Sequence, residues 1–453
     1  MTENPKAKSG KEYSEGLGIT KITVEGFKSI AKKQSIEIRP LTILAGANSS
    51  GKSSIMQPLL LMKQTVECGY DPGPLRLDGP NVSFTSPEQF LSKIKAASFV
   101  KNLFIGIHFY HHMEFKVVFG KKKDAKDLDL LELTQKLGRD EKEHRIRQGM
   151  SREELCDMIR DDEGTMGMMG HFFERASMDS PWSIDRDRCF FRVRVSSRTR
   201  ITIPLGHMFE PLIADIIHVP GLRGNPARTY PKTATGPKFP GTFENYTASV
   251  ITDWKAKSDN RLKDLGSHLE NLGLTWKVDP VERDATSIEI RVGRLKRAAK
   301  GGGKDLVSIA DVGFGVSQVL PVLVALLVAK PGQLVYLEQP EIHLHPRAQV
   351  ALAEILADAA KRGVRVVAET HSAVLLLAIQ SLVAEGKIET DKVILHWFER
   401  NEEDGTTKIH PGDLNEAGAY GKKWPVDFGK VELELQSRYL NAAEPHLWGK
   451  STK

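Results

Sequence analysis

The stretch Gly46-Ala47-Asn48-Ser49-Ser50-Gly51-Lys52-Ser53 constrains this chain more than any other. It fills the pattern G-x-x-x-x-G-K-[ST] without a substitution. Leu41 to Ala45, just before it, are mostly apolar and read as a buried strand. From Ser54 to Glu67, Ile55, Leu59, Met62 and Val66 recur at helical spacing. Strand, glycine-rich turn and helix are the context that separates a phosphate-binding loop from a chance match. Two glycines let the backbone curl so that successive N–H groups face inward, and the helix start adds its positive end. Gly46 through Ser54 should therefore wrap a nucleoside triphosphate. Lys52 would reach the β- and γ-phosphates, and the Ser53 hydroxyl would hold Mg²⁺.

At 453 residues the chain exceeds one ordinary core, so two or three structural units are expected. A formal charge of +6 is small for this length, so any basic surface must be local. Cys68, Cys156 and Cys189 are too few and too scattered for a disulfide framework or a zinc site. Residues 1–18 are polar and read as a disordered leader, without the apolar core of a signal peptide. No apolar run is long enough to span a bilayer. A cytoplasmic protein without membrane contact is expected.

Past the loop helix, residues 70–87 are dense in Pro, Gly, Asp and Ser and read as irregular. Residues 104–119 read as strands, and His108, His111 and His112 there read as structural rather than metal-binding. From Lys121 the chain turns highly charged, with a Gly/Met patch at Gly164 to Gly170. Leu128, Leu131, Leu133 and Leu137 suggest helical periodicity, so a helical insertion is expected. Arg186, Arg188, Arg192, Arg194, Arg198 and Arg200 then all fall on even positions. In an extended chain they share one face, which suits either a phosphate-binding strip or a solvated sheet face. The unit boundaries drawn from these shifts are 19–120, 121–200, 201–300, 301–400 and a tail, 401–453.

A second block ends an apolar strand in acids: Leu334-Val335-Tyr336-Leu337-Glu338-Gln339-Pro340-Glu341. Glu338 stands where an acid would orient the Mg²⁺ shell, and Glu341 is the expected general base for an attacking water. Another apolar strand ends in Glu369-Thr370-His371-Ser372, which makes His371 a candidate γ-phosphate sensor. Between phosphate loop and acids lies Gly313-Phe314-Gly315-Val316-Ser317-Gln318, opening an apolar helix. Ser317 at that helix start is a second anion site. Since one loop already occupies the γ-phosphate, this second site is most useful if it closes on the nucleotide of another subunit.

The order of these motifs (phosphate loop, long insertion, GFGVSQ, LVYLEQPEIHLHP, VVAETHS) resembles the ATP-binding-cassette ATPases of the SMC, RecF and OLD (overcoming lysogenization defect) branch. It is most similar to the OLD-like group, whose first strand ITVEGFKSI also resembles. The segment His218-Val219-Pro220-Gly221-Leu222-Arg223 and the tail Gly421-Lys422-Lys423-Trp424-Pro425 are similar to that group too. The resemblance implies an α/β P-loop NTPase of ABC-ATPase head type. Such a head has a mixed central sheet with flanking helices and an antiparallel β subdomain. It implies ATP and Mg²⁺ as ligands and slow hydrolysis. Lys52 and Ser53 would take phosphate and Mg²⁺, Glu338 the Walker B role, Glu341 the base and His371 the switch. Ser317 would be the signature serine acting across a homodimer or higher homo-oligomer. A glutamine that contacts Mg²⁺ should lie between the lobes, which points to Gln89. Full-length OLD proteins add a nuclease domain, for which the residues after His371 leave no room. A separate effector, a nuclease or toxin in anti-phage defence, is therefore expected. A RecF-like ATPase that grips DNA is the alternative.

Overall fold

The computed structural model describes residues 18–95, 98–109, 113–121, 128–136, 143–160, 181–196, 201–295, 305–421 and 427–448. Most of the leader, His111, His112, the patch at Gly164 to Gly170, Arg198, Arg200, the run 296–304 and the tail segment 422–426 lie outside them.

A six-stranded sheet forms the centre. Its order is Ile217–Val219, Leu334–Glu338, Arg365–Thr370, Leu41–Gly46, Val393–Arg400 and Thr407–Gly412. The first five run parallel and the last is antiparallel. Leu41–Gly46 is buried at every position, as a parallel strand covered on both faces must be. Alternation then sorts its side chains between two cores: Leu41, Ile43 and Ala45 face one, Leu44 the other. The first core is filled by three long helices, Phe314–Val328, Pro346–Lys361 and Ala373–Ala384. Phe314–Val328 is apolar nearly all round and is accordingly buried on most of its surface. Against the other face lies Lys52–Val66, the helix that follows the phosphate loop.

Beyond that helix stands an antiparallel sheet in the order Gln34–Glu37, Ile19–Glu25, Asn102–Phe109, Met113–Lys121, Leu128–Lys136 and Glu143–Arg147. A smaller three-stranded sheet, Trp182–Asp187, Phe190–Val195 and Ile201–Leu205, packs on it through Phe190 and Phe191. The expected helical insertion is therefore corrected. Among the described residues of 121–200, only Arg152–Arg160 is helical, and strands dominate. A bulge within Leu128–Lys136 disturbs the alternation at Leu131, while Leu137 lies outside the described residues. Phe119 pairs with Leu130 and Val118 with Glu132, so Leu131 is an extra residue. Leu130 and Leu133 are both fully buried at a spacing of three, which imitates a helix within a strand.

The arginine strip does alternate with buried Phe191, Val193 and Val195. Its described members are nevertheless paired. Arg186 meets Asp71 at 2.7 Å, Arg188 meets Glu210 at 3.0 Å, Arg192 meets Asp187 at 3.4 Å and Arg194 meets Asp185 at 3.2 Å. These contacts suit a solvated sheet face knitted to its neighbours. His108 is likewise paired, with Glu114 at 2.9 Å. Cys68, Cys156 and Cys189 are buried thiols. Among the described residues no helix is long and apolar enough to cross a membrane.

His396, beside the phosphate-loop strand, makes the fold sensitive to acid. It is 1% exposed, and Nε2 donates to the Glu37 carbonyl at 2.8 Å. Burial pushes its pKa from 6.5 down to about 4. The unfolded ring takes a proton near its ordinary pKa, whereas the folded ring stays neutral until near its depressed one. Stability should therefore fall as pH drops below the ordinary value, by about 1.4 kcal/mol per pH unit and roughly 3 kcal/mol in all. Urea midpoints across that window should fall steeply for the native chain and less steeply for His396→Gln. Equal slopes would contradict this assignment.

Candidate functional site

The two loop glycines are required by the backbone. Gly46 has φ +151°, and a Cβ there would lie 2.4 Å from the Phe398 carbonyl oxygen. Gly51 has φ +97°, and its Cβ would lie 2.5 Å from Thr407 Oγ1 and 2.6 Å from Ser29 Oγ. Any side chain at either position would break the loop's seat on its neighbours. Gly51 hands the chain to Lys52–Val66, whose free N–H groups face the loop.

The loop borders a cleft of about 1060 Å³. Asn48, Ser49, Gly51, Lys52, Ser53 and Ser54 line one side, and Gln339, Glu369 and His371 line the floor. Lys28, Gln89, Lys93 and Arg400 complete the rim. Gly46, Ala47 and Ser50 form the back of the loop, where Lys52 Nζ donates to the Gly46 and Ala47 carbonyl oxygens at 3.0 and 2.8 Å. Burial pushes the Lys52 ammonium down to about 8, and only partly does the Glu369 charge oppose it. A phosphate arriving in the cleft would find a cation held on weakly competing carbonyls.

Strand register brings the acids to the loop. Glu338 lies beside Glu369, and Glu369 beside Leu44, on three adjacent parallel strands. Glu338 ends its strand and Glu369 is the last residue but one of its own, both on the face that carries the loop helix. Ser53 Oγ donates to Glu369 Oε1 at 3.0 Å, and the fully buried Tyr336 hydroxyl donates to Glu369 Oε2 at 2.9 Å. Burial raises the Glu369 pKa, with the Glu338 charge adding to it. Nothing in the spacing of residues singled out Glu369. The clue was its place, one residue from the end of the strand that adjoins the loop strand.

Glu338 faces elsewhere. Its Oε1 accepts from His218 Nε2 at 3.3 Å and its Oε2 from the Gly221 amide at 3.0 Å. Burial works against this carboxylate, but the His218 and Gly221 hydrogen bonds outweigh it and hold the pKa low. His218 is 1% exposed, stacks on Tyr336 and takes a hydrogen bond from Asn81 on Nδ1. The tautomer with its proton on Nε2 satisfies both neighbours.

The turn after Glu338 is strained. Gln339 has φ +44° and His343 φ +63°, which non-glycine residues rarely adopt. Arg223 pins this turn, donating to the Glu338 and Gln339 carbonyls at 2.7 and 3.1 Å. It also donates to the Gln318 carbonyl at 3.1 Å, so one guanidinium ties the acid turn to the start of the Phe314–Val328 helix. The result is that Gln339, an amide, meets the cleft. Glu341 lies behind it, 8% exposed. Its Oε1 accepts from Thr370 Oγ1 at 2.6 Å and from the His371 amide at 3.2 Å, while Oε2 has no hydrogen-bond partner. Burial raises its pKa. His371 itself lines the cleft, and burial followed by the Lys52 charge lowers its pKa.

Two expected members stand apart. Gln89 reaches the rim, but its amide is engaged twice with Thr85, at 2.7 and 2.8 Å. Ser317 is not on this cleft at all; its hydroxyl donates to the Phe314 carbonyl at the helix start. The group that sequence reasoning missed is the second row, Tyr336, His218 and Arg223, which hold the acids in place.

Residues 18–161 match the family described as "AAA ATPase domain". Residues 211–378 match "AAA domain, putative AbiEii toxin, Type IV TA system". No curated protein matches the chain. Three solved SMC heads are similar in structure. One, bound to the C-winged helix domain of ScpA, has 14% identity and a TM-score of 0.46, covering 88% of this chain and 99% of that one. The SMC head domain from Thermotoga maritima has 12% identity and a TM-score of 0.37, covering 88% and 100%. The head with an extended coiled coil, bound to the C-terminal domain of ScpA from Pyrococcus furiosus, has 12% identity and a TM-score of 0.41, covering 92% and 99%. The chain thus carries two regions similar to AAA-type ATPase domains on an α/β P-loop fold with mixed sheets.

Proposed function

We propose that the chain is a slow Mg²⁺-dependent ATPase whose nucleotide-driven self-association controls a separate effector, a nuclease or toxin, in anti-phage defence. The nucleotide part rests on one observation: the phosphate loop, Glu369 and His371 line a single cleft, with Glu338 beside Glu369 on the neighbouring strand. Triphosphate would draw Lys52 off its own loop carbonyls and sit against the N–H groups of the Lys52–Val66 helix. The donor set, a serine hydroxyl and a carboxylate oxygen, is that of a hard cation, and Ser53 with one of the two adjoining strand acids would hold it. Bound Mg²⁺ supplies charge neutralisation at the phosphates. Glu341, with a raised pKa and an unshared oxygen, would take the proton of the attacking water; His371 would read the γ-phosphate from beside Lys52.

Slowness is supported by the turn. The side chain that meets the cleft, Gln339, is an amide and cannot accept a proton, while Glu341 must act from behind it. Self-association is supported by Ser317, whose helix start lies off the chain's own cleft and is free to serve another copy's. The effector is supported by the resemblance to OLD-like ATPases and by a matched family whose description names a putative toxin system. The described arginines of the strip are all paired, so DNA has no comparable support.

Sedimentation tests this reading. Glu341→Gln with Mg²⁺–ATP should sediment as a dimer or larger species, and as a smaller one without nucleotide. A single species under both conditions, with ATP bound, would remove self-association from the account.

A further inference from the structure

The ATPase reading leaves open which acid bonds the cation. We infer that Glu369, held by Tyr336, is the carboxylate that bonds the divalent cation directly beside Ser53, and that Glu338 is not. This deepens the proposed ATPase and rests on it.

Distance carries the first part. In octahedral Mg²⁺ with bonds of about 2.0–2.1 Å, neighbouring ligand oxygens lie roughly 2.8–3.0 Å apart. Ser53 Oγ and Glu369 Oε1 are 3.0 Å apart. The only bond between them is the serine proton, which a cation would displace by taking a lone pair from each oxygen. Glu369 also lines the cleft, and its strand adjoins the loop strand directly.

Cost carries the second part. Both Glu338 oxygens already have donors, His218 Nε2 and the Gly221 amide. Turning that carboxylate toward Ser53 would strand a buried imidazole N–H and a backbone N–H, each left without its acceptor. Glu369 needs no such turn. Its far oxygen is fixed by the Tyr336 hydroxyl at 2.9 Å, and that ring is fully buried and stacked on His218. The tyrosine is thus a positioning residue for the cation, and His218 steadies both acids, one by hydrogen bond and one through the ring it stacks on.

Mn²⁺ binding, read by electron paramagnetic resonance in the presence of a non-hydrolysable ATP analogue, tests this on the full chain. Glu369→Gln should weaken Mn²⁺ by more than about 100-fold, beyond what loss of an outer partner produces, and Tyr336→Phe by roughly tenfold. Glu338→Gln should weaken it less than either. Analogue affinity in EDTA should be unchanged in all three, which separates metal from nucleotide. The glutamine can accept from Tyr336 through its oxygen and donate to the Ser53 hydroxyl through its amide, so the fold is retained; circular dichroism checks this, and Tyr336→Phe stands as the second variant. Wild-type Mn²⁺ affinity in Glu369→Gln, or a larger loss in Glu338→Gln, overturns the inference while leaving the ATPase. Failure of the native chain to bind the analogue overturns both.

Discussion

Lys52→Ala should reduce Mg²⁺–ATP affinity by roughly 100- to 1000-fold, because two charged hydrogen bonds of about 1.5–3 kcal/mol each disappear. The ammonium is 3% exposed, and burial already lowers its pKa to about 8, so it is a desolvated cation in search of an anion. In the chain without ligand it makes do with the Gly46 and Ala47 carbonyls. Removing it loses two carbonyl contacts but also removes the cost of burying an ammonium, so the fold loses little. Titration calorimetry should therefore show lost binding with a nearly unchanged melting temperature. Undiminished affinity would remove the phosphate loop, and every later step, from the account.

The second large effect concerns the turn after Glu338. Glu341→Gln should cut ATP turnover by at least about 100-fold, the usual span for a general base. Gln339→Glu should act in the opposite sense and raise turnover about tenfold or more, because it sets a carboxylate at the one position of this turn that meets the cleft. The strained φ of Gln339 and the Arg223 clamp on its carbonyl keep that side chain aimed inward in either variant. Phosphate release under saturating ATP measures both. If Glu341→Gln hydrolyses ATP at the native rate, the base has been misassigned; if Gln339→Glu is no faster, the amide is not what limits the reaction.

The legible parts of this chain were those set by local spacing. Leu41–Gly46, the loop and the helix after it follow from eight residues and an apolar run. The acid strand and the switch strand were equally plain, since parallel strands buried on both faces are short, continuous apolar runs. What spacing cannot supply is register and direction. Glu338 and Glu369 both lie at the C-terminal ends of adjacent strands, within one residue of the last position, and only their side-by-side pairing, with His218 on one flank and the loop on the other, decides which faces Ser53. The sheet beyond the loop helix was misread for a related reason. A bulge at Leu131 changes a two-residue period into a three-residue one, and long-range pairing with Val118 and Phe119 is its only signature. Arg186 to Arg194 show the same limit: alternation revealed their shared face, but not that Asp71, Glu210 and the acids of the adjacent strand had already claimed them.

If each ATP site needs two chains, two variants that are dead alone should restore one another when mixed. Lys52→Ala keeps the Ser317 helix start but loses the phosphate loop; Ser317→Arg keeps the loop but blocks the helix start. Each alone should hydrolyse almost no ATP. Mixed in equal amounts, they should recover a substantial part of the native rate, because one site in each mixed pair joins an intact loop to an intact Ser317. A mixture as inactive as its parts, or Ser317→Arg fully active alone, would contradict the shared site.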